Sequence, residues 1–133
     1  MAVKQMRLVV EAEDYDEAVA FYRDVLGLPV ELSLAGPDGA HVTIFEAGRA
    51  TLELANPAQK RYIDDVEVGR DVARKYRVAF EVDDVRSAFT LVEGGAAMLA
   101  PPTETPWQSL NARLEGPAGL QLTLFQEPGP PPA

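Results

Sequence analysis

The feature that most constrains this chain is an internal repeat. Arg7, Glu11, Asp14 and Ala18 recur as Arg77, Glu81, Asp84 and Ala88, each 70 residues on, and the same offset carries Leu52 and Leu54 onto Leu122 and Leu124. In a chain of 133 residues this period leaves room for two units and little else. Units this short do not bury their apolar faces alone, so the two must share one core.

The order of predicted elements is the same in both units. In the first, Leu8–Ala12 reads as a strand and Asp14 as a helix N-cap. Ala18, Val19, Phe21, Tyr22, Val25 and Leu26 then follow a helical period that stops at Gly27. Strand-like runs follow at Pro29–Leu34, His41–Phe45 and Thr51–Ala55, separated by Gly36-Pro37-Asp38-Gly39 and Ala47-Gly48-Arg49. In the second, Val78–Val82 is a strand and Asp84 caps a helix through Val92, ended by Gly94-Gly95. Ala97–Ala100, Leu110–Leu114 and Leu120–Phe125 are strands, the last two joined through Gly116-Pro117-Ala118-Gly119. Each unit is β-α-β-β-β. The expected organisation is one domain over residues 1–126, with modules at about 5–55 and 77–126, a linker over 56–76, and a disordered Pro-rich tail over 127–133. The linker mixes Lys60, Arg61, Asp64, Asp65, Glu67, Arg70, Asp71, Arg74 and Lys75, a pattern expected of a solvated crossing.

Strand alternation divides the residues between two faces. Leu8, Val10, Val42, Ile44, Leu52, Leu54, Val78, Phe80, Leu110, Ala112, Leu114, Leu122 and Leu124 are expected beneath the helices. The other face then carries Arg7, Val9, Glu11, His41, Thr43, Phe45, Thr51, Glu53, Arg77, Ala79, Glu81, Asn111, Arg113, Thr123 and Phe125. A face that is polar yet dotted with aromatics suits a ligand cleft better than a second core.

Composition removes several chemistries. The chain has no cysteine, which excludes disulfides, thiolate nucleophiles and thiolate metal sites, and one histidine, His41. A net charge of −9 disfavours binding to nucleic acid. No apolar run approaches the roughly 20 residues that span a bilayer, and no signal-peptide pattern opens the chain, so a cytoplasmic location is expected without a membrane or nucleic-acid partner.

The paired β-α-β-β-β modules resemble the vicinal oxygen chelate superfamily, which includes glyoxalases, extradiol dioxygenases, fosfomycin-resistance enzymes and bleomycin-resistance proteins. Three segments carry the resemblance. Asp16 to Leu28, with Phe21-Tyr22 and Leu26-Gly27-Leu28, is similar to the first helix of the family. Thr51-Leu52-Glu53-Leu54 is similar to the strand closing module one. Gly116 to Phe125, preceded by Thr105-Pro106-Trp107, is similar to the end of module two. The resemblance implies an α+β fold in which two modules form a curved mixed sheet around a cleft, with Tyr62 and Ile63 of the linker at its entrance. In the enzymes of the superfamily four inward positions hold one divalent metal, and the resemblance places them at Arg7, Glu53, Arg77 and Thr123. Arginine offers no lone pair and Thr123 only a weak neutral oxygen, so neither metal nor other cofactor is expected.

Arg7, Glu53 and Arg77 are expected to form an Arg–carboxylate–Arg cluster in place of the metal. Two roles are open to it: a buried ion-pair network that fixes strand register, or a guanidinium turned toward a ligand. Phe45, Tyr62, Trp107 and Phe125 are candidates for stacking on a ligand, against core or interface packing. Trp107 lies in a breaker-rich loop that suits a lid. His41 is a ligand contact by alternation rather than a catalytic base. Asn111, Arg113 and Thr123 supply orienting hydrogen bonds. The resulting expectation is a metal-independent protein similar to the bleomycin-resistance branch. Such a protein is a homodimer that sequesters an antibiotic or another aromatic metabolite in a cleft lined by both chains. The alternatives are a lyase, isomerase or dioxygenase with an atypical metal site or metal-free chemistry, and a dimeric scaffold without a ligand.

Overall fold

The computed structural model describes residues 1–72 and 74–128, so residues 129–133 of the expected tail lie outside the described residues. The first unit consists of β1 (Val3–Glu11), α1 (Tyr15–Ala20, continued by a π-helical turn over Phe21–Val25), β2 (Val30–Ala35), β3 (His41–Ala47) and β4 (Ala50–Ala55). After α2 (Pro57–Glu67) comes the second unit: β5 (Tyr76–Val82), α3 (Ser87–Glu93), β6 (Ala97–Glu104), β7 (Leu110–Glu115) and β8 (Gln121–Gln126). The fold is α+β, and its eight strands form one curved sheet in the order β2-β3-β4-β1-β5-β8-β7-β6. Read outward from the centre, the order is the same in both directions, as a repeat requires.

The seam is the antiparallel pair β1–β5, where Arg7 lies opposite Ala79 and Val9 opposite Arg77. Each unit adds its last strand in parallel to its first, β4 to β1 and β8 to β5. The modules therefore join within one chain. Facing strands bury apolar side chains on both sides of the sheet. On the outer face, Tyr15, Phe45 and Leu54 pack beneath α1, and Val82, Ala88, Ala112, Leu114 and Leu124 beneath α3. On the inner face, Val9, Ala79 and Phe125 make a smaller cluster at the seam.

The linker differs from the expected solvated crossing. Asn56 caps α2 by accepting the Gln59 N–H at 2.9 Å, and Pro57 occupies the first turn, where its missing N–H is not needed. Gly69, at φ +81°, closes the other end, donating to the carbonyls of Asp64 and Asp65. Between these stops the helix buries Gln59, Ile63, Asp64 and Glu67. Spaced three and four residues apart, they form one stripe, so the carboxylates at 64 and 67 face protein rather than water. Asp14 and Asp84 were the expected caps of the other two helices. Asp14 makes no side-chain cap bond, and Asp84 accepts the Arg86 N–H in the turn before α3. No helix among the described residues is long and apolar enough to cross a membrane.

Asn56 also accepts the backbone N–H of His41 and donates to the Gly39 carbonyl, tying α2 to the β2–β3 turn. Asn56→Ala should therefore lower stability by about 1–2 kcal/mol, seen as a lower urea midpoint with an unchanged slope.

Candidate functional site

The concave face of the sheet, crossed by α2, encloses a cleft of about 480 Å³. Its floor comes from the central strands: Gln5 and Arg7 of β1, Arg77, Ala79 and Glu81 of β5, and Thr123 and Phe125 of β8. Glu53 of β4 and Asn111 of β7 flank them. Leu32 and Leu34 of β2, with Val42 and Ile44 of β3, make an apolar wall. Gln59, Ile63 and Glu67 of α2 close one side, and Trp107 and Ser109 come from the loop between β6 and β7. Glu31 and Glu127 stand at the rim.

The floor charges are not paired alike. Arg7 is held on every side: its Nε donates to Thr51 Oγ1 at 3.0 Å, its Nη1 lies 3.6 Å from Glu53 Oε1, and its guanidinium lies 4.9 Å from the centre of the Phe125 ring. Thr51 in turn donates to Gln5, and Gln5 to Glu81. At 3.6 Å the Arg7–Glu53 contact is electrostatic rather than a hydrogen bond. Arg77 donates from Nη1 to Thr123 Oγ1 at 2.9 Å, and among the described residues it has no ion pair. The expected three-membered cluster is thus one pair, Arg7–Glu53, with Arg77 beside it. Burial lowers the pKa of Arg77 below the usual guanidinium range. Arg113 adds to this, and Glu67, Glu53 and Asp64 oppose it. At the rim, Glu127 is raised by burial, Arg7 opposes that shift, and Glu81, Glu31 and Glu53 reinforce it.

Beneath α2 lies a sealed ion cluster. Arg113, fully buried, donates from Nη1 to Asp64 at 3.0 Å and to Gln121 at 3.1 Å, and from Nη2 to Glu67 at 2.9 Å. Glu67 also accepts from Asn111, whose Oδ1 accepts from Ser109, and Ser109 is bonded to Thr105. One connected network therefore fixes α2, β7 and the Trp107 loop together. Removing one member of a buried pair strands the other charge away from water. Glu67→Leu should cost about 3–5 kcal/mol of stability, read as a lower denaturant midpoint.

The structure brings Arg7, Glu53, Arg77, Trp107, Asn111, Thr123 and Phe125 together around the cleft. Tyr62 stands behind Trp107, ring centres 6.4 Å apart, and does not line the cleft. Arg113 is on the expected face but sealed, so it orients α2 instead of meeting a ligand.

His41 and Phe45 face the other way, contrary to the alternation reading. His41 stacks on Tyr15, 5.2 Å between ring centres, and Phe45 is fully buried beneath α1. Their places on the cleft wall belong to Val42 and Ile44. The cause is one residue. Glu46 pairs with Thr51 across four intervening residues, and Glu115 with Gln121 across five. Glu53 therefore pairs with Ile44 while its repeat mate Thr123 pairs with Arg113, an offset of 69 in this strand instead of 70. A one-residue slip turns every side chain of a strand to the opposite face. Glu127, assigned to the tail, borders the cleft.

A divalent metal does not fit these residues. Of the four positions where the resemblance places ligands, Arg7 and Arg77 are cationic, Thr123 is already an acceptor for Arg77, and Glu53 faces Arg7. Among the described residues, no group of three or more His, Asp or Glu side chains comes together that could hold a metal ion.

A sequence model described as Glyoxalase/Bleomycin resistance protein/Dioxygenase superfamily matches residues 5–124. No curated protein matches the sequence. Among solved structures, a superfamily member from Vibrio splendidus is similar with a TM-score of 0.64 at 13% identity, covering 92% of this chain and 98% of its own. A methylmalonyl-CoA epimerase from Mycobacterium tuberculosis gives 0.65 at 16%, covering 96% and 88%. The Streptomyces coelicolor methylmalonyl-CoA epimerase, in complex with 2-nitronate-propionyl-CoA, gives 0.66 at 18%, covering 96% and 97%. At these identities the likeness is one of fold.

Proposed function

We propose a function from one premise: the chain belongs to the Glyoxalase/Bleomycin resistance protein/Dioxygenase superfamily. The protein binds a small molecule with an aromatic or other apolar body, without a metal, and sequesters it, an antibiotic being one such molecule. The observation that carries this reading is the cleft itself. Its 480 Å³ lies within the range of small-molecule sites, with an apolar wall of Leu32, Leu34, Val42, Ile44 and Trp107 facing a few fixed polar groups. Arg7, Arg77 and Asn111 are held by neighbours before any ligand arrives, so little ordering entropy opposes binding.

Both modules of one chain line the cleft, whereas the resemblance implied walls from two chains. A homodimer is still proposed, through the outer face of the seam. Met6 and Leu8 on that face remain 46% and 38% exposed, and a second copy would cover them. Sedimentation velocity should give the mass of two chains, and Leu8→Glu should give one.

A thermal-shift screen of aromatic antibiotics and metabolites tests the binding reading. A ligand at about 100 times its dissociation constant should add about 2.7 kcal/mol. No shift with any aromatic scaffold would remove the proposal. The second reading is an enzyme of the superfamily, favoured by the epimerases among the similar structures and by Glu53, a carboxylate open to the cleft. Elemental analysis of untagged protein separates its metal-dependent form. One tightly held metal per chain, lost in Glu53→Ala, would put that form in place of the binding protein.

A further inference from the structure

Three arginines lie on or under the concave face, and their surroundings differ. Arg7 has Glu53, Thr51 and the Phe125 ring. Arg113 has Asp64, Glu67 and Gln121. Arg77, 8% exposed, has the Thr123 hydroxyl alone among the described residues. The repeat explains how this came about. Arg77 corresponds to Arg7 and Thr123 to Glu53, so the second unit keeps the guanidinium and carries a neutral hydroxyl where the first has the carboxylate.

Resting on the binding reading above, we infer that Arg77 is the anchor for an oxyanion of the ligand, a carboxylate or an acidic enol or phenol, seated in the cleft against Thr123. A guanidinium presents five N–H donors in a planar fork, and Arg77 spends one of them on Thr123. Arg113 Nε is the sealed side-chain polar atom without a partner among the described residues. Arg77 Nε and Nη2 have no partner among the described residues and are not sealed, so they open onto free space. Part of that space is a void of about 20 Å³ on the same face of the sheet, beside Ile63 and Asp64 of α2, which has room for about one water; the rest is the main cleft.

Charge follows the same logic. Glu53, Asp64 and Glu67 are near enough to favour the charged form of Arg77, but each is committed to another arginine. A ligand oxyanion would supply the planar, charge-assisted partner that the fold leaves out. It would arrive in a low-dielectric site already shaped for it. The carboxylates of Glu31, Glu81 and Glu127 line the same cleft and would turn a second anionic group away, so one end of the ligand is anionic and the remainder neutral or cationic.

The test uses one aromatic body with three head groups: naphthalene-2-acetate, naphthalene-2-acetamide and 2-(2-naphthyl)ethylamine, titrated calorimetrically into the intact protein. The acetate should bind at least tenfold tighter than the amide, and Arg77→Gln should reduce that ratio below twofold, the acetate losing more affinity than the amide. Arginine side-chain NMR of the unmutated protein supplies the readout if the variant does not fold: the acetate, and not the amide, should shift the Arg77 Nε–H resonance. Equal affinities, or the amine binding best, would overturn the oxyanion anchor and leave the binding reading standing. Absence of binding by all three would count against the binding reading itself and take the anchor with it.

Discussion

The cleft depends on one buried guanidinium. Arg113 holds Asp64 and Glu67 on successive turns of α2, and these contacts seat the helix across the concave face. Desolvating three charged groups is expensive, so the arrangement stands only because each carboxylate has further partners. Glu67 accepts from Asn111, and Asp64 accepts the Val72 N–H. Without that anchor, Gln59, Ile63 and Glu67 would not form a wall. The inner face would then be an open, half-polar sheet instead of a pocket.

The anchor is also asymmetric, and this asymmetry turns a repeat into a site. Two identical units would present matched surfaces across the β1–β5 seam. Here the single α2, lying between the units, packs its acidic stripe toward the second unit, which offers Arg113. At the equivalent place in the first unit stands Ile44, at the offset of 69. One end of the cleft is consequently polar and tightly bonded, the other apolar and formed by β2 and β3. A ligand entering such a cleft meets two chemically distinct ends and has one preferred orientation.

Much of the architecture was legible in the sequence because a repeat constrains topology strongly. Every expected strand exists, and the positions Arg7, Glu53, Arg77 and Thr123 converge on the floor as their common offset implies. What failed was local. Facing in a strand depends on register, and register depends on hairpin length. The β3–β4 hairpin is one residue shorter than β7–β8, so where the second unit turns Asn111 and Arg113 inward the first turns Val42 and Ile44 inward, and His41 and Phe45 face away from the cleft. The anchor was missed for another reason. Charged residues between modules usually face water, and Asp64 and Glu67 carry no local mark of burial. Asn56-Pro57 could have marked the start of α2, and Ile63 then gives the buried stripe on which both carboxylates fall.

The difference between the two units also bears on chemistry. A metal binds ligand oxygen by accepting its lone pairs and needs several anionic or imidazole donors to hold it. A guanidinium offers positive charge and directed donors while needing no such cage. Where the superfamily resemblance places four metal ligands, this chain places two arginines, one of them neutralised by Glu53 and the other facing Thr123. On the binding reading, these two arginines give the centre of the sheet a cationic focus where the resemblance places metal ligands. That focus favours holding an oxygen atom in a fixed direction over polarising it as a Lewis acid would. Such a geometry serves recognition directly, and it would serve catalysis only if a base within the cleft, with Glu53 the nearest carboxylate to Arg7, were free of its arginine when the ligand is bound.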